Sequence, residues 1–236
     1  MKGCFLDIQS FVQALNQSDV PYLVLRNYEN MLSPEIYMDG HGDIDLLCAD
    51  SKALAKSVGA MAYTNKVKEV CDDGVHYYVM IANKHVSLDL RSVGDGYYCT
   101  KWQKEMLERR ILKDGFYVMD ELDYVYSLIH HAILQKRTFS DEYRDRLTEM
   151  CKRQQIHVTD DSPYSFIRLL ETYMEGHGYT YTYPTDTFVP LNKRYINSAL
   201  LENNTSLAFK HWKFDTKVGL IECLVKIKHL LLGKPR

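Results

Sequence analysis

The sequence is poor in the features that mark most functional classes at a glance. Its six cysteines, at 4, 48, 71, 99, 151 and 223, are scattered, with no Cys-x-x-Cys pair and no Cys/His cluster. That argues against a zinc site or a disulfide framework and fits a reducing, cytoplasmic setting. No apolar run reaches the roughly 18–20 residues needed to span a bilayer. Asp7 follows only a short apolar patch, which does not read as a signal peptide. Neither Gly-x-x-x-x-Gly-Lys nor Gly-x-Gly-x-x-Gly occurs, against a P-loop kinase or a Rossmann dehydrogenase. Internal repeats and low-complexity tracts are missing too. The net charge of −2 gives no bulk attraction to nucleic acid, so no nucleic-acid partner is expected.

What is there belongs to a globular chain. At 236 residues it is long enough for one large domain, or for a core domain with a helical appendage. Tyrosine is abundant, at 18 residues; most suit the edges of a core, and a minority could stack on a base or sugar.

The chemistry centres on Gly42-Asp43-Ile44-Asp45-Leu46-Leu47. On a strand, side chains alternate, so Asp43 and Asp45 share one face while Ile44 and Leu46 point into the core. Two like charges on one face are costly to bury, and a divalent cation relieves them. Mg²⁺ takes one or two carboxylates and completes its shell with waters and substrate phosphates. Ser87-Leu88-Asp89-Leu90 is a second alternating run that brings a third Asp. Three Asp residues on neighbouring strands suit two metal ions, Mg²⁺ or Mn²⁺, in phosphoryl or nucleotidyl transfer. Arg26 ends the run Tyr22-Leu23-Val24-Leu25-Arg26, and two readings stay open: a planar grip on phosphate, or an ion pair with the acids. His41 precedes Gly42 and reads either as a phosphate or acid–base contact or as a solvated loop histidine. Ser87, Asp89 and Arg91 share a strand face, so Arg91 is either a structural partner of Asp89 or a second phosphate contact. Across that hairpin lie His76, Tyr78 and Met80 or their alternates, depending on register, and His76 reads as a packing residue. Asp72 and Asp73 are consecutive and precede Gly74, a turn rather than a site.

Together these residues resemble the DNA polymerase β-type nucleotidyltransferase superfamily. That superfamily has a Gly-Ser turn after a first strand, an Asp-x-Asp or Asp-x-Glu on the second, and a third acid on a later strand. By position Asp43 and Asp45 match the paired acids and Asp89 the third. The match covers about the first 95 residues. It departs at Arg26-Asn27, where the family has Gly-Ser. More narrowly, Leu25-Arg26-Asn27-Tyr28, Gly42-Asp43-Ile44-Asp45 and His130-His131-Ala132-Ile133-Leu134-Gln135-Lys136 resemble nucleotidyltransferase-like proteins of bacterial surface-polysaccharide gene clusters. The resemblance implies an α/β (α+β) core with a mixed sheet over residues 1–96 and a mainly α-helical region over 97–236. It implies a metal-dependent nucleotidyltransferase or related phosphotransferase. The donor would be a nucleotide or a nucleotide-activated group, and the acceptor a sugar or polyol. The alternative is a catalytically inactive nucleotide- or partner-binding module of the same fold. Arg26, Asn27, His41, His130 and Lys136 are the expected phosphate and substrate contacts.

Periodicity supplies the remaining elements. Phe5, Ile8, Phe11, Val12 and Leu15 predict a helix over 5–17. Leu54, Ala55, Val58, Met61 and Ala62 predict another from Ser51 to about Tyr63. Strands are expected at 67–71, 75–82 and 85–91, with a turn at Asn83-Lys84. A helix is expected over Lys101–Leu112. From Asp120 a helix carries the stripe Leu122, Val125, Tyr126, Ile129, Ala132 and Ile133, which puts His131 opposite and His130 at the margin. Lys136 projects on the apolar side and either snorkels past the helix end or crosses to a phosphate. Helices follow over 140–152 and 163–175, with Ser140 and Ser162 as their caps, and over about 193–202. The tail, 217–236, mixes apolar residues with Lys217, Lys226, Lys228 and Lys234. It reads as a peripheral contact with the inner membrane face, a cap on the core or a partner-binding helix.

Overall fold

A computed structural model describes residues 3–33, 43–62 and 74–231. His41, the predicted strand at 67–71 and the Asp72-Asp73 turn lie outside the described residues. The described residues form a mixed α/β fold of eight strands and seven α-helices.

The chain enters through β1 (Cys4–Phe5) and α1 (Ile8–Asn16). Asp7 and Ser10 cap α1 reciprocally, and Ile8, Phe11, Val12 and Leu15 turn inward, as the helical spacing predicts. β2 (Tyr22–Val24) follows, then β3 (Asp43–Cys48) and α2 (Ser51–Val58). α2 stops short of the predicted Tyr63. Gly59 takes the left-handed conformation, φ 71°, and closes the helix, so Met61–Ala62 become the short strand β4.

β5 (His76–Ile81) and β6 (Lys84–Ser92) form a tight hairpin. Its loop is Ala82-Asn83, both at positive φ, one residue before the predicted turn. The helix predicted over Lys101–Leu112 also ends early. α3 runs Thr100–Arg109, and then β7 (Ile111–Lys113) and β8 (Phe116–Val118) make a second hairpin. Asp114 (φ 51°) and Gly115 (φ 88°) supply the two left-handed positions that such a two-residue loop needs.

The sheet runs β1-β5-β6-β3-β2-β8-β7, with β4 beside β5. β3 lies at its middle, parallel to β6 and antiparallel to β2. Residues beyond 96 therefore complete the sheet, since β8 pairs with β2 through Val24 and Val118.

The C-terminal half is mostly helical. Asp120 caps α4 (Glu121–Ile129), which widens into a π-helical segment, His130–Leu134. α5 (Asp141–Arg153) and α6 (Pro163–His177) start at the predicted caps Ser140 and Ser162. Where a helix is predicted near 193–202, only a 3₁₀ turn forms, Ser198–Leu200. α7 (Thr205–Leu231) ends the described chain, beginning a dozen residues before the predicted tail helix. Of the stripe predicted from Asp120, Val125, Ile129, Ala132 and Ile133 are buried but Leu122 is exposed, and Tyr124 and Leu128 are buried as well.

One hydrophobic core joins the sheet to these helices. Within it lies a fully buried carboxylate, Asp123. It accepts from Trp102 Nε1 at 2.8 Å, from the Tyr173 hydroxyl at 2.9 Å and from Arg109 Nη2 at 3.0 Å. A buried charge is tolerated only when its lone pairs are filled in this way. Asp123→Ala would leave the Trp102 and Tyr173 donors without their acceptor, while Arg109 keeps Glu105 and Asp120, and should lower stability by about 2–5 kcal/mol, measured by urea denaturation.

Candidate functional site

Parallel pairing of β3 with β6 sets Asp45 directly beside Asp89. The two α-carbons are therefore about one strand spacing apart, roughly 4.8 Å. Asp43 lies two residues before Asp45 on the same face, at the exposed end of the strand. Ile44, Leu46, Leu88 and Leu90 occupy the opposite face and are buried. The sequence-predicted triad thus shares one face of the two central strands.

The surrounding groups answer this concentration of charge. Arg26 sits just past β2, where the Leu25 amide still bonds to the Asp45 carbonyl at 2.9 Å. Its Nη2 contacts Asp45 Oδ1 at 2.8 Å, and its Nη1 donates to the Tyr97 hydroxyl at 2.9 Å. Burial works against the Arg26 charge, but Asp45 and Tyr97 outweigh it and hold its pKa well above the usual guanidinium value. Arg91 stands two residues after Asp89 and reaches Asp89 at 3.6 Å and Asp186 at 3.0 Å. Its guanidinium also lies 4.6 Å from the centre of the Tyr97 ring. His76 is the cross-strand partner of Asp89, with Nε2 3.9 Å from the carboxylate. The Asp89 pKa is raised, first by burial and then by the Asp45 charge; Arg91 and His76 oppose the shift and Asp43 adds to it.

Four carboxylates, Asp43, Asp45, Asp89 and Asp186, thus meet two guanidinium groups, Arg26 and Arg91. Among the described residues, and leaving His76 aside, these groups leave an excess of two negative charges, which suits a divalent cation. Among the described residues no group of three or more His, Cys, Asp or Glu side chains is arranged to hold a metal ion by itself. Mg²⁺ does not require such a cage: one or two carboxylates suffice when waters and substrate phosphates complete the shell. Asp43 and Asp45 fit as that pair, at the open end of β3, with Asp89 beside them on β6.

The other predicted contacts scatter. Asn27 adopts the left-handed conformation, φ 55°, and its side chain accepts from Arg146 Nη1 at 3.0 Å rather than facing the acids. Lys136 is exposed just beyond the π-helical segment. His130 is buried among Tyr98, Trp102 and Tyr181. Its Nδ1 has no partner among the described residues, and burial pushes its pKa down to about 3. His131, expected on the outer face, is buried too, because the π-helical segment departs from the α-helical phase. Of these two histidines it is the one that approaches the site, with Nδ1 3.2 Å from the Tyr97 hydroxyl. Burial, and then the charges of Arg26 and Lys136, hold its pKa well below the ordinary histidine value.

Tyr97 and Asp186 were not legible as site residues. Tyr97 follows the Gly94-Asp95-Gly96 turn and passes beneath both arginines. Asp186 comes from the extended connection after α6. That connection approaches because Gly96, at φ 75°, lacks a Cβ; one there would collide with the Tyr183 carbonyl oxygen. Thr182 donates to the Gly96 carbonyl at 2.9 Å and the Thr185 amide to the Asp95 carbonyl at 2.7 Å. The aromatic, proline-bearing sequence of this connection signals only an ordered loop.

No family model, curated protein or solved structure matches this chain.

Two outcomes follow. Asp89→Asn should raise the melting temperature in metal-free buffer, because it removes one like charge from the crowded face without changing its shape. A histidine in the unfolded chain takes up its proton near pH 6.5, whereas His130 does so only near 3. Folding stability should therefore fall as pH drops below about 6.5. His130→Phe, an aromatic replacement among aromatic neighbours, should flatten part of that decline in denaturant titrations at several pH values.

Proposed function

We propose that the chain is a metal-dependent nucleotidyltransferase, or a related phosphotransferase, with a nucleotidyltransferase-like core. The observation that carries the reading is the register of Asp45 with Asp89 on adjacent parallel strands, with Asp43 on the same face. The three acids of the polymerase β-type pattern are thereby neighbours in space as well as matches in sequence.

Bound Mg²⁺ or Mn²⁺ would neutralise phosphate charge and fix the geometry of an in-line displacement. Asp43 and Asp45 would hold the metal at the strand end. Asp89, whose proton affinity is raised, orients the acceptor hydroxyl and takes its proton. Arg26, freed of Asp45 where a cation took its place, would present its planar fork to phosphate. Tyr97 holds the other side of that guanidinium, so Arg26 stays within reach of the same place. The donor is a nucleotide or nucleotide-activated group, and the acceptor class that the resemblance suggests is a sugar or polyol of a surface polysaccharide, in the cytoplasm.

A second reading is a nucleotide- or partner-binding module without catalysis. One observation favours it: Arg26 already supplies a cation to Asp45 at 2.8 Å, at the place where the superfamily has a Gly-Ser turn.

Thermal stability with Mg²⁺ or Mn²⁺ and each of the four nucleoside triphosphates separates the two. A ligand binding only the folded state at about 100 times its Kd should add about 2.7 kcal/mol. The transferase reading expects a metal-dependent shift with one nucleotide, lost in the double variant Asp43→Asn/Asp45→Asn. A nucleotide shift that needs no metal and survives in that variant supports the binding module. No shift with any pair overturns both.

A further inference from the structure

α7 is apolar on two sides, and only one of them is docked. Leu207, Ala208, His211, Phe214 and Val218 face the body of the protein. His211 is buried, with Nε2 2.7 Å from the Pro184 carbonyl oxygen, and Phe214 packs on Phe188 at 4.9 Å. The opposite side carries Phe209, Trp212 and Leu220, at helical spacings of three and eight residues, with Leu224 beside them. These are open to solvent: Phe209 is 60% exposed, Trp212 61%, Leu220 62% and Leu224 65%. Phe209 and Trp212 stack on each other at 5.6 Å, which pre-forms a rigid aromatic patch.

Charge runs along one edge of this patch. Lys210, Lys213 and Lys217 are spaced by three and four residues, are all exposed, and flank the apolar row. Asp215 falls on the other edge, away from the lysines. Over Thr205–Leu231 the sequence has lysines at 210, 213, 217, 226 and 228 against Asp215 and Glu222. Among the described residues no helix is long and apolar enough to cross a membrane.

We infer that the open face of α7 is a docking surface for an anionic lipid bilayer, on which the helix lies without crossing. Aromatic and aliphatic side chains sink into the boundary between headgroups and acyl chains, and the lysine row meets the headgroup phosphates. Trp and Phe suit that boundary because their rings are large, rigid and tolerant of a wet edge. A second copy of this chain is the poorer occupant. An antiparallel two-fold pairing of this face sets lysine rows near each other, and a parallel one leaves a single Asp215 to answer three lysines. The inference stands apart from the chemistry at the sheet.

The two tryptophans make the test direct. Trp102 is 1% exposed, so a change of emission on adding vesicles reports Trp212. Full-length protein should co-sediment with vesicles of phosphatidylglycerol and phosphatidylcholine, and its emission should shift to the blue. Vesicles of phosphatidylcholine alone should give weaker binding, and added salt should weaken the anionic case. The triple variant Lys210→Gln/Lys213→Gln/Lys217→Gln, altered only at exposed positions, should bind roughly a hundredfold less tightly. Phe209→Ser/Trp212→Ser should lose co-sedimentation while keeping the wild-type melting temperature. Equal binding to both vesicle types, or no binding to either, overturns the proposal. A blue shift that follows protein concentration without vesicles also overturns it and assigns the face to a second copy.

Discussion

Two carboxylates held one strand spacing apart are the constraint around which the polar groups of this fold are arranged. Parallel pairing of β3 with β6 brings Asp45 level with Asp89, and neither strand can shift by one residue without turning its leucines to the wrong face. The repulsion cannot be relieved by slippage, so it must be met by charge. Arg26 and Arg91 meet it from either side, and Tyr97 lies under both. The balance is incomplete, since Asp186 adds a further carboxylate. A site that carries excess negative charge in its resting state binds a cation more readily than one whose charges already cancel, at some expense in stability.

The helical half supports this arrangement from behind. The Gln135 side chain donates to the Tyr97 carbonyl at 2.9 Å, and its Oε1 lies 3.2 Å from His131 Nδ1, within hydrogen-bonding reach. Tyr97 is thereby held at both its backbone and its hydroxyl. His131, kept neutral by burial and by neighbouring positive charge, can accept from or donate to that hydroxyl without adding a charge to the cluster. The buried aromatics around His130 play a different part: they are core, and His130 behaves as one of them.

Much of the central sheet was legible because its determinants are local. Alternation placed Asp43, Asp45 and Asp89 on one face, apolar spacing marked α1, and capping residues marked α4, α5 and α6. The misses have physical causes. Helix periodicity continued past Gly59, where a left-handed residue in fact closed α2 and released Met61–Ala62 to the sheet edge. Ile111 and Leu112 fit a helix stripe as well as a strand, and the Asp114-Gly115 turn decided for a hairpin. A helical wheel assumes 3.6 residues per turn, and the π-helical segment breaks that assumption at the two histidines. Tyr97 and Asp186 could not be read at all, since contacts formed across the fold leave no periodic trace.

Arg91 and Asp186 are ninety-five positions apart in the chain. Contacts of such long sequence separation form late, after the closure entropy of the intervening loop has been overcome. A chain folded only through β8 therefore holds Asp89 and Arg91 as a simple pair, and only part of the acidic excess at the strand ends is in place. Only when α6 has docked and the segment after it crosses Gly96 does Asp186 take its share of Arg91. The electrostatic character of the site is in this sense completed by the whole chain, and not by the sheet alone that carries three of its acids.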